Sequence, residues 1–286
     1  MPLDDGRPAV VKITPSPDAE VLRHEGGIMA TEAMVHRRIA SLPGSRVPTP
    51  TPLYAGKEFL VVSLLDGMAW DKAAAHPSPT AEAALHREPG AITARLHALT
   101  PQDGRFGDPV AESALSARDW RTAFTAMVEA LSEDAERGRF PLGLPPDDAR
   151  TAAAECGYAL DEVTEPRLVQ LRPVAGRRLR RSRGRGRAPP AHRTDRPRTG
   201  LPGRSGRRPV SPSFGGATGP DSDPVAGCAG GSLDFAPALH HRLALHHLHL
   251  GLVLVVECGP HGDDADHLAS CRRHFADALD RLRALG

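Results

Sequence analysis

The sequence is poor in aromatic residues, lysines and cysteines. Of its 286 residues, 4% are Phe, Trp or Tyr, and three lysines stand against 33 arginines. The cysteines are Cys156, Cys228, Cys258 and Cys271. Because none of them is spaced Cys-x-x-Cys, we expect neither a zinc site nor a disulfide framework, and instead reduced thiols in a cytosolic protein.

Long apolar runs are also lacking. A membrane helix needs about 18 consecutive apolar residues, whereas the longest run here is Leu250–Val256. The first residues, MPLDDGRPAVV, lack the basic and then apolar pattern of a signal peptide. We therefore expect no membrane partner and a cytoplasmic location. The net charge of +1 argues against binding of polyanions by the whole surface, although a local basic patch is compatible with it.

Patterning predicts elements at both ends of the chain. Strands are predicted over 9–13 and 58–65, where β-branched and apolar residues cluster. Apolar residues at helical spacing predict helices over 20–41, 80–99, 120–131, 146–160, 237–256 and 268–285. Pro48, Pro50 and Pro52 predict a rigid connector, and Pro89 is expected to disturb its helix. The cluster Asp263, Asp264 and Asp266 indicates a loop and a helix start.

The middle of the chain has a different composition. Residues 171–231 hold 14 Arg, 12 Gly and 9 Pro, and they contain no Lys, Glu, Ile, Met, Trp or Tyr. Such a segment buries too little apolar surface to offset its chain entropy, so we expect it to be disordered. The predicted divisions are 1–66, 67–169, the Arg/Gly/Pro-rich 170–231, and 232–286.

The N-terminal part resembles the aminoglycoside phosphotransferase-like family, which has the protein-kinase-like fold. Ala9-Val10-Val11-Lys12 is similar to the strand whose lysine holds the α- and β-phosphates of ATP. The helix that follows resembles the one whose glutamate pairs with that lysine, which implies Glu32, with Glu25 as the alternative. Phe59–Gly67 resembles the linker between lobes, which implies adenine contacts near Val62 and Leu64.

The C-terminal part extends the resemblance. Leu96-His97-Ala98-Leu99 is similar to a helix end of the family, Arg167–Val169 to the approach to its catalytic loop, and Arg242–Leu245 to its C-terminal helices. The resemblance implies an α+β, two-lobed kinase-like scaffold with a small truncated N-terminal lobe and a mainly helical C-terminal lobe. It also implies ATP, Mg²⁺ and a small-molecule hydroxyl as substrate.

The sequence departs from the family pattern at two places. Only eleven residues precede Lys12, whereas the family has two strands and a phosphate-covering loop there. After Val169 no His-x-Asp-x-x-x-x-Asn follows, and no later Ile-Asp, so the catalytic and Mg²⁺-binding residues of the family have no counterpart. We therefore expect no catalytic or metal-binding residue in the chain as written, doubtful binding of ATP and Mg²⁺, and no phosphotransfer.

A shifted reading frame is a hypothesis that would account for the second departure. When the codons of 172–177 are read one base later, they permit Asp-Leu-Trp-Pro-Gly, which resembles the catalytic loop of the family. The same shift over 194–210 permits Leu-Ile-Asp-His-Glu-Arg-Ala, which resembles its metal-binding stretch, although the Mg²⁺-binding Asn is not recovered. We hypothesise that the frame changes near residue 170 and returns near residue 231.

Two other hypotheses come from the residues themselves. The Arg-rich arm over 172–208 is the alternative function, because its 14 arginines would bind nucleic-acid phosphates weakly and in a salt-sensitive way. A metal site is the other, because five histidines lie close together and two of them, His246 and His249, share a helix face. No carboxylate completes that set, so packed or solvated histidines are the favoured interpretation. These five are His240, His241, His246, His247 and His249.

Overall fold

The chain is a mixed α and β protein built from small sheets and longer helices. The computed structural model describes residues 3–16, 19, 21–42, 47–65, 68–69, 79–109, 114–168, 179–180 and 237–285. The α+β prediction is confirmed at this level. The predicted disorder over 170–231 lies outside the described residues, apart from Leu179–Arg180.

The N-terminal sheet has three antiparallel strands, β1 (Ala9–Ile13), β2 (Pro52–Ala55) and β3 (Phe59–Ser63), in the order β1-β3-β2. Its register places Val10 opposite Val62 and Lys12 opposite Leu60. Both predicted strands are confirmed, whereas β2 lies at the end of the stretch that was predicted to be a rigid proline connector. Pro52 opens β2 at the edge of the sheet, where a missing N–H is tolerated.

Helix α1 (Ile28–Ala40) covers one face of this sheet and begins later than predicted. The sequence pattern placed the start at Glu20, but residues Arg23–Glu25 form a single 3-10 turn. Gly27 then has a φ of +68°, a left-handed conformation that favours glycine and separates the turn from the helix. Ile28, Met29 and Ala33 pack with Val10, Leu60 and Val62 into a small core.

Two short antiparallel pairings and one long helix follow the N-terminal sheet along the chain. Strand β4 (Met68–Ala69) pairs with β7 (Leu179–Arg180), and β5 (Phe106–Gly107) pairs with β6 (Ser116–Ala117). Helix α2 (Pro79–Leu96) lies between them. It continues through Pro89 without ending there.

The larger core is helical. It is formed by α3 (Trp120–Gly138), α4 (Pro146–Cys156), the 3-10 turn Gly157–Leu160, α5 (Pro237–His261) and α6 (Ala265–Arg283). Trp120, Phe124 and Phe275 are almost fully buried in it. Helices α3 and α5 extend beyond their predicted ends, whereas α6 begins and ends earlier. Residues from both sides of the Arg-rich segment therefore share one core.

Helix α5 is the one helix, among the described residues, whose length and composition would allow it to span a membrane. The sequence contains no uninterrupted apolar run of that length, because histidines interrupt the apolar residues of α5. In the structure, 83% of its most apolar window is buried inside the protein. That burial is compatible with the core helix of a soluble protein.

Candidate functional site

The side chains of Lys12 and Glu32 form an ion pair between β1 and α1. Alternate residues of a strand face the same side of a sheet, so Lys12 shares with Val10 the face that α1 covers. The Lys12 side chain is 11% exposed and that of Glu32 is 2% exposed. The structure thus brings together the two residues that the sequence singled out.

The Glu32 carboxylate has a second partner on its own helix. Oε1 of Glu32 lies 3.2 Å from Nε2 of His36, one helical turn later. The other ring nitrogen of His36 is 2.8 Å from the hydroxyl of Thr49, which precedes β2. His36 is itself buried. His36 therefore positions the Glu32 carboxylate from the next turn of α1, and Thr49 in turn positions His36.

Glu25, the alternative partner of Lys12, lies elsewhere. Its Oε1 is 3.2 Å from Nε2 of His261, at the end of α5, and its Oε2 accepts the backbone N–H of Leu22 at 3.4 Å. Burial opposes ionisation of Glu25, but the hydrogen bond from His261 and the charges of His24 and His261 outweigh it and lower its pKa to about 2. Glu25 joins the N-terminal segment to the helical core.

Val62 and Leu64 occupy unlike positions. Val62 lies on the central strand β3 with a side chain 2% exposed, in the small core beneath α1. Leu64 follows β3; its N–H donates to the carbonyl of Pro8 at 3.2 Å, and its side chain is exposed. The adenine contacts that the resemblance implied near these residues remain a prediction.

The segment that leads to the expected catalytic loop is anchored to the end of α2. Leu168 donates its backbone N–H to the carbonyl of Leu99 at 2.9 Å, and its side chain packs with Leu96 and Leu99. His97 is buried beside them. Residues 169–178 and 181–236, which include Val169, the frame-shift region and most of the Arg-rich arm over 172–208, lie outside the described residues.

His246 and His249 of α5 are packing residues in this structure. The ring of His246 stacks on Trp120 with centroids 5.8 Å apart, and His249 lies against Phe124 at 5.8 Å. Burial lowers the pKa of His246 to about 4 and that of His249 to about 3. Within the described part of the chain, the possible metal-ligand groups include none of the α5 histidines.

A second cluster, which the sequence reasoning missed, lies where α5 meets α6. Ligand atoms of Cys258, His267 and Cys271 all lie within 4.8 Å of one another. Burial raises the pKa of the Cys258 thiol to about 12. The missed signal was the four-residue spacing of His267 and Cys271, which places both on one face of a helix.

Comparison with known proteins adds no assignment. No protein-family model, no curated protein and no solved structure matches this chain.

Proposed function

We propose that the chain is a phosphotransferase-like protein that binds the phosphates of ATP through Lys12 and, as written, does not transfer them. The observation that carries the proposal is the buried ion pair between Lys12 on β1 and Glu32 on α1. A lysine ammonium has three donors. Among the described residues it uses one on Glu32, so an oxygen of a phosphate has donors left to bind.

The proposed role of the ion pair depends on where it holds the positive charge. Phosphoryl transfer depends on positioning and on neutralising the phosphate charges, rather than on covalent chemistry by the protein. A free lysine side chain would sample many rotamers, whereas Glu32, itself held by His36, fixes the Lys12 ammonium near the sheet. A buried pair of this kind is weak evidence for stability, so we interpret it as a device for placing charge.

The order of elements supports the same proposal. A lysine strand, a glutamate helix and two further strands follow one another, and the sheet order β1-β3-β2 leaves β1 with a strand partner on one side only among the described residues. The resemblance places two additional strands before the lysine strand, and the unpaired edge of β1 is where they would pair. The resemblance implies that a small-molecule hydroxyl, with Mg²⁺ accompanying ATP, would be the substrate of the protein in the restored reading frame.

The absence of transfer follows from the sequence as written. After Val169 there is no His-x-Asp-x-x-x-x-Asn, and no Ile-Asp follows it. The chain therefore lacks the aspartate that orients a substrate hydroxyl and the residues that hold Mg²⁺ in the family that it resembles. Lys12 and Glu32 alone position phosphates and provide no general base.

Binding is tested by titrating the full chain with ATP and Mg²⁺ and measuring heat. We expect saturable binding that the K12M variant weakens at least about tenfold, as expected for loss of one charge-assisted hydrogen bond. K57M, which removes an exposed lysine before β3, is the matched control and should bind like the unaltered chain. The K12M/E32M variant removes both charges and guards against misfolding caused by an unpaired carboxylate. Binding unchanged in this folded double variant would refute the proposal.

Transfer is tested at the level of the gene. The region covering codons 165 to 235 is resequenced, and a second gene is built with one base removed near codon 170 and one restored near codon 231. We expect the restored protein to release ADP from ATP in the presence of hydroxyl substrates, and the protein as written to release none. Transfer by the chain as written would contradict the second half of the proposal.

A further inference from the structure

We propose that Cys258, His267 and Cys271, with Asp263, form a Zn²⁺ site at the turn between α5 and α6. The proposal is independent of ATP binding, because the cysteines and the histidine lie in the helical core. Lys12, by contrast, lies in the N-terminal sheet, and Glu32 lies on α1. Two thiolates, an imidazole and a carboxylate make a four-ligand set of the kind that zinc accepts.

The distances fit a tetrahedral ion. Zinc binds sulfur at about 2.3 Å and histidine nitrogen at about 2.0 Å, which places such ligands about 3.5 Å apart, and two sulfurs about 3.8 Å apart. Sγ of Cys271 and Nε2 of His267 are 3.5 Å apart, and no two of the three ligand atoms are more than 4.8 Å apart. Small side-chain rotations therefore bring all three to one ion.

Asp263 is placed to supply the fourth ligand. Its backbone N–H donates to the carbonyl of Cys258 at 3.1 Å, and its Oδ2 lies 4.0 Å from Nε2 of His267. Asp264, its neighbour, is already committed as the cap of α6, because its carboxylate accepts the N–H of His267 at 2.8 Å. The two aspartates thus have separate roles.

Among the described residues, the cluster has two buried members and two exposed ones. Cys258 and Cys271 are buried, whereas the His267 side chain is 53% exposed and that of Asp263 is 38% exposed. An ion can enter past the imidazole and the carboxylate and reach the two buried cysteine sulfurs, whose thiol protons leave as the metal binds. Gly262, with a φ of +64°, makes the tight turn that brings α6 back against the end of α5.

A metal fits this arrangement better than a bare disulfide does. A disulfide would use the two sulfurs and leave the imidazole and the carboxylate beside them without a role. Soft thiolate ligands combined with imidazole select zinc over magnesium or calcium. In the present contacts the Cys258 thiol donates to the carbonyl of Leu254 at 3.1 Å, and it would exchange this bond for the metal.

The test uses the full chain, purified under reducing conditions and stripped of metal. Zn²⁺ is titrated against a coloured chelator, and Co²⁺ serves as the spectroscopic probe. We expect one ion per chain, cobalt spectra with thiolate charge-transfer and tetrahedral bands, and a thermal unfolding temperature that rises with zinc. H267Q, C271S and C258S should each weaken binding at least about 100-fold, with D263N weakening it less.

Matched controls separate this site from other cysteines and acids. C156S removes a buried thiol of α4, C228S removes the cysteine of the Arg/Gly/Pro-rich segment, and D266N removes a neighbouring acid; each should bind zinc like the unaltered chain. His267 is exposed, so H267Q keeps the test valid if a cysteine variant fails to fold. The proposal is overturned by the absence of stoichiometric binding, by binding that survives H267Q, or by a Cys258–Cys271 disulfide in the reduced preparation.

Discussion

Gly251 on α5 lies directly against the backbone of Phe275 on α6. A Cβ built at position 251 would be 2.8 Å from the Cα of Phe275 and 3.2 Å from its backbone nitrogen. Cβ atoms do not approach backbone this closely, so the two helices can cross here only because residue 251 has no side chain. This contact fixes the separation of α5 and α6, and hence the place where Cys258 meets Cys271.

The G251A variant should therefore destabilise the protein. Within a helix, replacing glycine by alanine normally stabilises by about 1 kcal/mol, but here the added methyl group pushes against backbone, and overpacking costs about 1 to 3 kcal/mol. Urea unfolding measures the difference. The control on the same helix is H240A, at an exposed position of α5, because this substitution removes atoms and adds none. Equal stability of G251A and the unaltered chain would contradict the helix contact.

The ion pair of Lys12 and Glu32 predicts that single substitutions destabilise the protein more than the double substitution does. Removing one partner leaves an unpaired charge in a buried place, which costs about 3 to 5 kcal/mol, whereas removing both is close to neutral. We expect E32Q to lower the free energy of unfolding by several kcal/mol, and K12M/E32M to recover most of that loss. The double-mutant cycle is completed with K12M. Single variants as stable as the unaltered chain would show that the pair is solvated.

The stacking of His246 on Trp120 predicts a dependence on acid. Burial lowers the pKa of His246 in the folded protein to about 4, whereas in the unfolded chain it is about 6.5. Below pH 6.5 the unfolded chain binds a proton that the folded protein excludes, so stability is lost as the pH falls. The H246F variant keeps an aromatic ring but has no proton to bind. Between pH 7.5 and pH 5, the difference in free energy of unfolding between H246F and the unaltered chain should therefore shift by about 2 kcal/mol in favour of H246F.

Urea unfolding at pH 7.5, 6 and 5 provides the measurement. H240Q, at an exposed position of the same helix, is the matched control for the loss of a histidine. If H246F lost stability with falling pH as steeply as the unaltered chain, protonation of His246 would have to occur without unfolding, and the buried, neutral imidazole would be ruled out.

Local pattern was enough to predict most elements of the two ends of the chain. β-branched residues over 9–13 and apolar spacing in α3 to α6 gave the right element types, because those faces are buried where the pattern expects. The ends were less accurate. Gly26 and Gly27 break a pattern that is periodic from Glu20, and α2 continues through Pro89, a residue type that favours the end of a helix.

The two candidate sites differ in how far the sequence predicts them. Lys12 and Glu32 were named from the order of motifs, and the structure places them together. The convergence of Cys258 with His267 and Cys271 depends on how α5 crosses α6, which no spacing in the sequence reports. Glu25 could not be placed either, since its partner His261 lies 236 residues away and no short-range pattern links them.

The ion pair of Glu25 and His261 should make stability depend on pH more strongly than a surface pair would, because Glu25 is buried. Its folded pKa of about 2 lies below the ordinary value, so its ionised form contributes stability above about pH 4.5, and this contribution is lost as the pH falls toward 2. E25Q should therefore lower the free energy of unfolding by up to about 3 kcal/mol at pH 6 and by much less at pH 3. E58Q, at an exposed position beside β3, is the control. A penalty for E25Q that is as large at pH 3 as at pH 6 would show that shape, rather than charge, joins this segment to α5.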